Sequence, residues 1–518
     1  MSRAELDDAG AVVIIGSGAG GGTLAHELCR QGVHCVLLEA GPRYELGDFE
    51  QDEFAMIGKI ISRIPVEVTS PPPAEESRPY VCRAVGGTTL HWTAIALRLH
   101  AYEMAARTRY GEIAGASLAD WPVTPAELAP YYARAEDKLG VTGTHDIPLL
   151  PGNNNFRVLY EGARRIGYRS VDTGRLAINP RARDGRPGCL QMGFCMQGCR
   201  IGAKWSTLYT EIPRAEATGR LDLRTGATAL QVLHDSRGRA SGVLYVDATG
   251  RRQLQKARVV CVAANAVESA RLLLNSHSAR FPHGLANSSG HVGRHYMVHS
   301  HAFVMGRMPR PVHFYRGTVQ AGLVQDERRH DPSRGFASGY QLQQIAFGLP
   351  LTTLAMLPQG WGADLAEFVD GYSHLAGLVI LGEDLPQPGN RVTISTAQRD
   401  EHGLPIASIH RTAHVNDRAI VEHARRQAAA LYTAAGAERV LHSESTGLTH
   451  NMGTLRMSAR RDDGVINAHG QAHDVPNLFV SDGSQFPTGG AANPTLTIVA
   501  LAIRQAEYIR RQLVARAL

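Results

Sequence analysis

The clearest pattern of apolar and polar positions lies near the start of the chain. A run of four apolar residues, Val12–Ile15, is followed by a glycine-rich stretch and then by Thr23–Leu28, which we interpret as part of a helix. A second apolar run, Cys35–Leu38, ends at Glu39. Short apolar runs of this kind are typical of buried parallel strands. The pattern therefore predicts a strand, a tight turn, a helix and a second strand in succession.

The turn in this unit carries glycines at the spacing GxGxxG. Gly16 permits a tight turn, Gly18 lets the backbone approach a pyrophosphate, and Gly21 lets the helix pack closely against the strand. The N-terminus of the helix then faces the phosphates. Glu39 lies 23 residues after Gly16 and is placed for the hydroxyls of a ribose. The unit predicts a dinucleotide-binding domain, with NAD and FAD both open at this point.

A second glycine-rich loop favours FAD over NAD. The loop Gly86–Thr89 lies far from the first one along the chain, and a flavin ring needs a backbone clamp that a nicotinamide does not. We assign Gly86, Gly87 and Thr88 to this clamp. His91 follows shortly after it and is expected near the flavin.

Seven cysteines leave an odd count, which argues against a disulfide framework. Cys189, Cys195 and Cys199 fall within eleven residues of a glycine-rich stretch. Thiolates at this density suit an iron–sulfur cluster or zinc, and three ligands without a fourth nearby favour a [3Fe-4S] cluster. The alternative is a buried glycine-rich loop with inert thiols.

Composition sets the class of protein and excludes some partners. The 518 residues suffice for two domains or one two-lobed unit, and 43% hydrophobic and 20% charged residues with 54 glycines are typical of a soluble α/β protein. The net charge of +6 is spread over scattered Lys and Arg, so nucleic acid is not expected as a partner.

No apolar run approaches the ~18 residues of a membrane span, so we expect the chain to have no span of its own. The first ten residues carry acids and no hydrophobic stretch, which favours neither a secretory signal nor an anchor. We expect a cytoplasmic location, or a periplasmic one by export together with a signal-bearing partner subunit.

Five motifs, in order along the chain, resemble the glucose-methanol-choline family of FAD-dependent oxidoreductases. Besides the opening unit they are Val85–Thr89, Asp120–Thr124, Cys261–Ala266 and a C-terminal set formed by His450–Thr454, Asp482–Ser484 and Asn493–Thr497. The resemblance runs nearly end to end. It implies an α/β and α+β fold, with a Rossmann-like FAD-binding domain on a parallel sheet and an interleaved substrate-binding domain on a mainly antiparallel sheet.

On that basis the chain divides into alternating segments. We assign residues 1–98, 201–292 and 442–518 to the FAD-binding domain, and residues 99–200 and 293–441 to the substrate-binding domain, whose loop 187–203 holds the cysteines. Leu378–Pro386 and Asn390–Ile394 are predicted strands of the substrate-domain sheet. Pro71–Glu76 is a predicted lid over the flavin. His295, His299 and His301 are predicted to be structural, because no carboxylate joins them at metal-ligand spacing.

The resemblance assigns chemistry to the C-terminal motifs. His450 matches the catalytic histidine of the family, and Asn493 matches its partner position. Hydride transfer from a carbinol carbon to flavin N5 is easier when the hydroxyl proton leaves to a base, and the ordinary pKa of histidine, ~6.5, suits that task. Asn493 can hold the substrate oxygen in line, although it is also a good N-cap for a helix with Pro494 in its first turn. The same motifs imply further cofactor contacts at Asp482, Gly483, Asn493 and Thr495.

Within the family the chain is similar to the large catalytic subunits of bacterial dehydrogenases of glucose, fructose, sorbitol and gluconate. That likeness implies a sugar, polyol or related alcohol as substrate, a small subunit and a cytochrome-type electron acceptor. The cysteine spacing is similar to that of cluster-bearing members, but Arg200 stands where those tend to have proline. In some relatives a histidine placed like His91 carries the flavin covalently, and a hydrogen bond near the ring edge is the alternative.

Three functions remain open. The first is an FAD-dependent dehydrogenase that oxidises a CH–OH group and passes electrons, with or without an iron–sulfur cluster, to an external acceptor. The second is a cluster-free alcohol oxidase that uses oxygen and releases hydrogen peroxide. The third is a lyase with a structural flavin, which the pair His450 and Asn493 disfavours because the pair suits oxidation.

Overall fold

The computed structural model of the protein describes residues 6–62, 64–70, 79–346, 362–442 and 449–518. The predicted lid, Pro71–Glu76, lies outside these residues. Within the described ranges no helix combines the length and the apolar character needed to cross a membrane.

A five-stranded parallel sheet is built around the first apolar run of the chain. Its strands, in spatial order, are β17 (Leu478–Val480), β9 (Val259–Val262), β1 (Val12–Ile15), β2 (Cys35–Glu39) and β5 (Leu221–Thr225). Every residue of β1 is buried between its two parallel neighbours, β2 and β9, as the unbroken apolar run predicted. All five strands lie in the ranges assigned to FAD binding, and the exact domain bounds stay a prediction.

Helices cover the sheets and join them. α1 (Ala19–Cys29) follows β1 directly and packs against the long C-terminal helix α11 (Thr495–Val514). The described helices between them are α2 (Glu53–Ile60), α3 (Ala101–Met104), α4 (Ala106–Tyr110), α5 (Pro125–Leu139), α6 (Asn154–Arg165), α7 (Glu211–Ala217), α8 (Asn265–Asn275), α9 (Ala363–Asp370) and α10 (Val415–Ala434).

A six-stranded antiparallel sheet forms the second large layer. Its strands, in spatial order, are β16 (Arg439–His442), β10 (His299–Arg307), β13 (Leu375–Glu383), β12 (Tyr340–Gln344), β11 (Leu323–Val324) and β4 (Val171–Asp172). β13 confirms the strand predicted at Leu378–Pro386. A parallel sheet and a mainly antiparallel sheet therefore coexist in the molecule, as the resemblance implied.

The two faces of the antiparallel sheet differ in character. One face is apolar: Ala302, Ile380 and Leu342 stand side by side and belong to the core that α10 covers with Ile420 and Ala424. Successive side chains of a strand point to opposite faces. The other face, here called the site face, therefore carries a polar set, consisting of His299, His301, Gln341, Gln343 and Glu383 with Leu381 between them.

Two smaller sheets complete the fold. β6 (Thr228–His234), β7 (Ala240–Val246) and β8 (Arg252–Lys256) form an antiparallel meander. β14 (Arg391–Arg399) and β15 (Pro405–His410) pair with each other, and β15 also pairs with β3 (Val66–Val68). The prediction that Asn390–Ile394 belongs to the large substrate-domain sheet is therefore wrong. The strand exists, but its register partners lie in this separate three-stranded sheet.

Candidate active site

The first glycine-rich turn folds as its spacing predicted. Gly16 has φ +96°, which favours glycine, and a Cβ on it would lie 2.4 Å from the carbonyl oxygen of Ala263. A Cβ on Gly21 would lie 1.9 Å from the carbonyl oxygen of Gly16, so the start of α1 packs directly on the turn. These two positions exclude any larger residue.

The two glycine-rich loops meet each other. A Cβ built on Gly87 would come within 3.0 Å of the Cα of Gly18, and Gly87 itself has φ +52°. Gly86 also has a positive φ, +102°, at the start of the second turn, while Thr88 is exposed beside it. The loop predicted to approach a pyrophosphate and the loop predicted to clamp a flavin thus form one continuous cradle.

Ser17 ties the parts of this cradle together. Its hydroxyl donates to Oε2 of Glu39 at 2.6 Å and accepts from the backbone N–H of Gly86 at 3.1 Å. Glu39 also accepts from the backbone N–H of Gly41, at 2.9 Å. Burial raises the pKa of Glu39, and these hydrogen bonds oppose the rise. Sequence reasoning missed Ser17, although its place between Gly16 and Gly18 was the available signal. The role of Glu39 toward a ribose stays a prediction.

His91 lies just after the second glycine-rich loop, and one of its ring nitrogens lacks a hydrogen-bond partner among the described residues. This nitrogen, Nε2, is buried. Burial, helped by the charge of Lys204, lowers the pKa of His91 to about 4, so the ring is neutral at pH 7. A glycine cradle followed by a histidine with an unpartnered buried nitrogen fits a flavin dinucleotide, which the two loops would hold and toward which His91 could offer a hydrogen bond. Covalent attachment at His91 stays a prediction.

The predicted cofactor contacts near the C-terminus lie after the last strand of the parallel sheet and at the start of α11. Asp482 follows β17 and accepts from the hydroxyl of Ser269 at 2.5 Å and from the backbone N–H of Ser484 at 2.9 Å. The backbone of Asn451 packs closely on Gly483: a Cβ added to Gly483 would lie 2.7 Å from the carbonyl oxygen of Asn451. Thr495 is the first residue of α11. Their contacts with a cofactor stay predictions.

His450 is held at the edge of the site face. Met452 and Met297 exchange backbone hydrogen bonds of 2.9 and 3.0 Å, which brings the segment of His450 beside the start of β10. His450 has φ +61°, an uncommon conformation for a residue with a Cβ. Its Nδ1 lies 2.9 Å from Nδ1 of His299. Burial, helped by His299 and His301, holds the pKa of His450 well below its usual 6.5, so its ring is neutral at pH 7.

His299 and His301, predicted to be structural, lie beside the segment of His450. His299 touches His450, and Nε2 of His301 lies 3.1 Å from the hydroxyl of Thr449, the residue before His450. His295 is different, because its ring is bonded to Ser117 and His291. The structural prediction for the three histidines fails to separate these cases, since it considered metal-ligand spacing alone.

Asn493 is buried and is fixed by the site face. Its Oδ1 accepts a hydrogen bond of 2.9 Å from Nε2 of Gln343 on β12. The alternative role of Asn493 as a helix N-cap is not observed: Pro494 occupies the cap position of α11, which begins at Thr495. The side chain is thereby released from capping, and its Nδ2 group is left to donate elsewhere.

The backbone just before Asn493 is clamped by four buried side chains of different origin. Glu383 and Glu103 accept from the backbone N–H groups of Gly490 and Ala491, at 2.9 and 2.8 Å. His299 and Gln341 donate to the carbonyl oxygens of the same two residues. Three of the four belong to the site face, so that face positions the whole segment leading to Asn493.

The cysteine loop does not assemble a metal site in this structure. Among the residues that the structure describes, which include Cys189, Cys195 and Cys199, no group of three His, Cys, Asp or Glu side chains gathers closely enough to hold a metal ion. Burial raises the pKa of Cys195 to about 11 and raises that of Cys189, which disfavours free thiolates. The described positions of the thiols do not fit a cluster.

A buried lysine, Lys204, directly follows that loop and contacts it. Nζ of Lys204 donates to the carbonyl oxygens of Leu90 and Trp92, at 2.8 and 2.9 Å, and to that of Cys195 at 2.5 Å. The lysine therefore joins the cysteine loop to the backbone on both sides of His91.

Comparison with known proteins identifies the family of the chain. The N-terminal and C-terminal family models of GMC oxidoreductase match residues 11–301 and 386–502. The 2-methyl-1,2-propanediol dehydrogenase of Mycolicibacterium austroafricanum is 32% identical, with 97% of this chain and 95% of the relative covered. Paromamine 6'-oxidase of Streptomyces fradiae is 31% identical, covering 98% and 92%.

Two further likenesses extend over nearly the whole chain. The fructose dehydrogenase large subunit of Gluconobacter japonicus is 27% identical, covering 97% of this chain and 98% of the relative. The crystal structure of pyridoxine 4-oxidase from Mesorbium loti superposes with a TM-score of 0.69 at 16% identity, covering 97% and 99%, which supports the fold alone. The chain belongs to the GMC oxidoreductase family.

Proposed function

We propose that the protein is an FAD-dependent oxidoreductase that converts the CH–OH group of an alcohol, polyol or sugar into a carbonyl group. The proposal rests on one observation: the neutral ring of His450 and the buried side chain of Asn493 each contact a side chain of the same sheet face. His299 contacts His450, and Gln343 contacts Asn493. The glycine cradle of Gly18 and Gly87 supplies the cofactor site.

Oxidation of the alcohol requires the removal of one proton and one hydride. Bound FAD, held by the two glycine-rich loops, supplies the two-electron acceptor for the hydride that leaves the carbinol carbon. His450 takes the hydroxyl proton, for which a neutral ring is required. Asn493 donates from Nδ2 to the substrate oxygen and keeps it in line with His450. The alcohol thus loses a hydride and a proton and leaves as an aldehyde or ketone.

The electron acceptor is the finer part of the proposal. We propose a dehydrogenase that delivers electrons to an external, cytochrome-type acceptor in company with a small subunit. Support comes from a relative named as the large subunit of fructose dehydrogenase and from a second named as a diol dehydrogenase. The location then follows the partner: cytoplasmic when the chain travels alone, periplasmic when a signal-bearing subunit exports it.

A second candidate is an oxidase that passes electrons to oxygen. It is favoured by the cysteine loop, whose described residues form no metal-binding group, and by the relative named paromamine 6'-oxidase. Hydrogen peroxide formed in step with substrate oxidation, with no gain on adding an artificial electron acceptor, identifies the oxidase. Iron and acid-labile sulfide in stoichiometric amounts would instead restore the cluster and the dehydrogenase.

The proposed reaction is tested on the FAD-loaded protein without oxygen. A panel of primary alcohols, vicinal diols, polyols and aldoses is mixed with the holoenzyme, and flavin absorbance and the carbonyl product are followed together. We expect bleaching with one equivalent of carbonyl product per flavin. Substrate consumed without bleaching would assign a lyase, and a panel that leaves both signals unchanged would contradict the proposal.

A further inference from the structure

The hydrogen bonds behind His450 have a fixed direction. Nε2 of His299 lies 2.8 Å from the carbonyl oxygen of Gly490, and a carbonyl oxygen can only accept. Nε2 of His299 therefore carries a hydrogen. Burial lowers the pKa of His299 to about 4, so the ring is neutral at pH 7 and carries no second hydrogen. It follows that Nδ1 of His299 has a free lone pair.

The direction passes on to His450. The 2.9 Å contact between the two Nδ1 atoms is a hydrogen bond only if His450 donates, because His299 has no hydrogen at that atom. A neutral imidazole has one N–H, so Nε2 of His450 carries the lone pair. We propose that His299 is a positioning residue that fixes the tautomer of His450, with Nδ1 protonated and Nε2 as the basic atom. This proposal rests on the proposed function and names the atom that receives the substrate proton.

The fixed tautomer complements the fixed amide of Asn493. Gln343 donates to Oδ1 of Asn493, which leaves Nδ2 to donate, while His299 leaves Nε2 of His450 to accept. One donor and one acceptor match a single hydroxyl group, which gives a proton and accepts a hydrogen bond. A carbonyl or carboxylate oxygen would meet a lone pair at His450. The site face therefore selects the alcohol side of the reaction.

Other charged groups lie around His299 but do not replace this role. The charges of Asp384, Glu103 and Arg328 influence the pKa of the His299 ring. His301 lies on the same strand, and its ring is hydrogen-bonded to Thr449. The two carboxylates are themselves engaged: Asp384 accepts from the backbone N–H of Val298, and Glu103 from Arg328. Of the hydrogen bonds described for the His450 ring, the one to His299 sets its tautomer.

The tautomer is read directly by long-range proton–nitrogen correlation spectra of the FAD-loaded protein labelled with ¹⁵N-histidine. His450→Gln identifies the His450 signals. At pH 8 we expect the proton on Nδ1 in the wild type and in His299→Asp, whose carboxylate only accepts. In His299→Leu we expect a large share of the proton on Nε2. A proton on Nε2 of His450 in the wild type overturns the proposal.

This readout needs no substrate, so it fails independently of the proposed function. If no alcohol reduces the flavin while Nδ1 carries the proton, the proposed function is lost and the tautomer assignment stands. If alcohols reduce the flavin while Nε2 carries the proton, the reverse holds.

Kinetics of anaerobic flavin reduction supply the second arm. We expect His299→Leu to slow reduction on the order of 10²-fold, since a misplaced proton disables the general base. His299→Asp should stay within about 10-fold of wild type and move the acid limb of its pH profile upward, because a nearby carboxylate raises the pKa of a histidine. His277→Leu, at an exposed position, is the matched control. Equal losses in the Leu and Asp variants, or no loss in the Leu variant, overturn the proposal.

Discussion

The side-chain amide of Gln343 donates from Nε2 to Oδ1 of Asn493 at 2.9 Å. Both side chains are buried, so water does not compete for this hydrogen bond. The contact decides which end of the Asn493 amide remains for a substrate. Gln343 on β12 thereby determines that the Nδ2 group of Asn493, and not its Oδ1, remains available for a further hydrogen bond.

We therefore expect two Gln343 variants to differ. Gln343→Leu leaves the Asn493 amide free to rotate and should lower kcat/KM by about 10-fold. Gln343→Glu only accepts when ionised, so it should draw Nδ2 of Asn493 away from the substrate and cost more than the Leu variant. Steady-state rates with an excess of artificial electron acceptor measure both. Gln398→Leu, at an exposed position on β14, is the control, and a Glu variant as active as wild type would contradict the assignment.

The pH dependence follows from the environment of His450. Burial and the neighbouring His299 and His301 lower its pKa well below 6.5. The base works in its deprotonated form, so lowering the pKa extends activity toward acid. We expect the rate of anaerobic flavin reduction to stay level through pH 6.5 and to fall only below it. An acid limb centred at or above pH 7 would show that another group carries the proton.

The contact between the glycine loops predicts a cofactor-binding variant. Gly87→Ala places a Cβ 3.0 Å from the Cα of Gly18 at a residue with φ +52°. We expect the purified variant to retain less than about a tenth of the bound FAD of the wild type, because strain of ~1–3 kcal/mol falls on the cradle itself. Gly389→Ala has open space around its Cβ and should bind FAD normally. Full FAD content in the Gly87 variant would argue against the cradle.

A buried charge cluster formed by residues of α1, α5 and α7 predicts how stability depends on pH. Oε2 of Glu211 lies 2.8 Å from Nζ of Lys138, which also lies 3.0 Å from Oε1 of Glu27 on α1. Burial raises the pKa of Glu211, but the hydrogen bond to His26 and the charge of Lys138 outweigh it and lower the pKa to about 2. A lowered folded-state pKa stabilises the fold above the unfolded value near 4.5, and this contribution disappears as pH falls toward 2.

Glu211→Gln should therefore lower the free energy of unfolding by roughly 2–4 kcal/mol at pH 7, and by progressively less below pH 4.5. Urea unfolding at several pH values measures the difference. The exposed Glu161→Gln should change stability little at any pH, since a surface pair contributes about 0–1 kcal/mol. A cost for Glu211→Gln that does not shrink in acid would contradict the assigned pKa.

Much of the fold was predictable because its signals are local. The apolar run Val12–Ile15 and the glycines after it specify a buried strand and a turn through residues within a short stretch of chain. Leu375–Glu383 is likewise a strand whose every residue is buried. The sheet to which Arg391–Arg399 belongs was not predictable, because the sequence pattern of a strand does not indicate which other strand it pairs with.

The resemblance singled out His450 and Asn493 as the candidate pair, but the residues that contact them were not predictable. His299 and Gln343 reach the site because β10, β13 and β12 pair in one register, which sets Phe303 and Gln343 opposite Val379 and turns the polar set to one face. That register depends on contacts between distant segments. The helix-cap alternative for Asn493 was wrong for the opposite reason. The local sequence around Asn493 favours a helix cap, but its side chain makes a tertiary hydrogen bond to Gln343 and does not cap the helix.

The most direct test of the account is one anaerobic turnover of the FAD-loaded protein, comparing wild type with His450→Ala and with the exposed-site control His277→Ala. Equal FAD content in the three proteins establishes that the cradle is intact. The account predicts that the alcohol bleaches the flavin at least ~10²-fold more slowly in His450→Ala, with the control unchanged. Bleaching of FAD-loaded His450→Ala at the wild-type rate would contradict it.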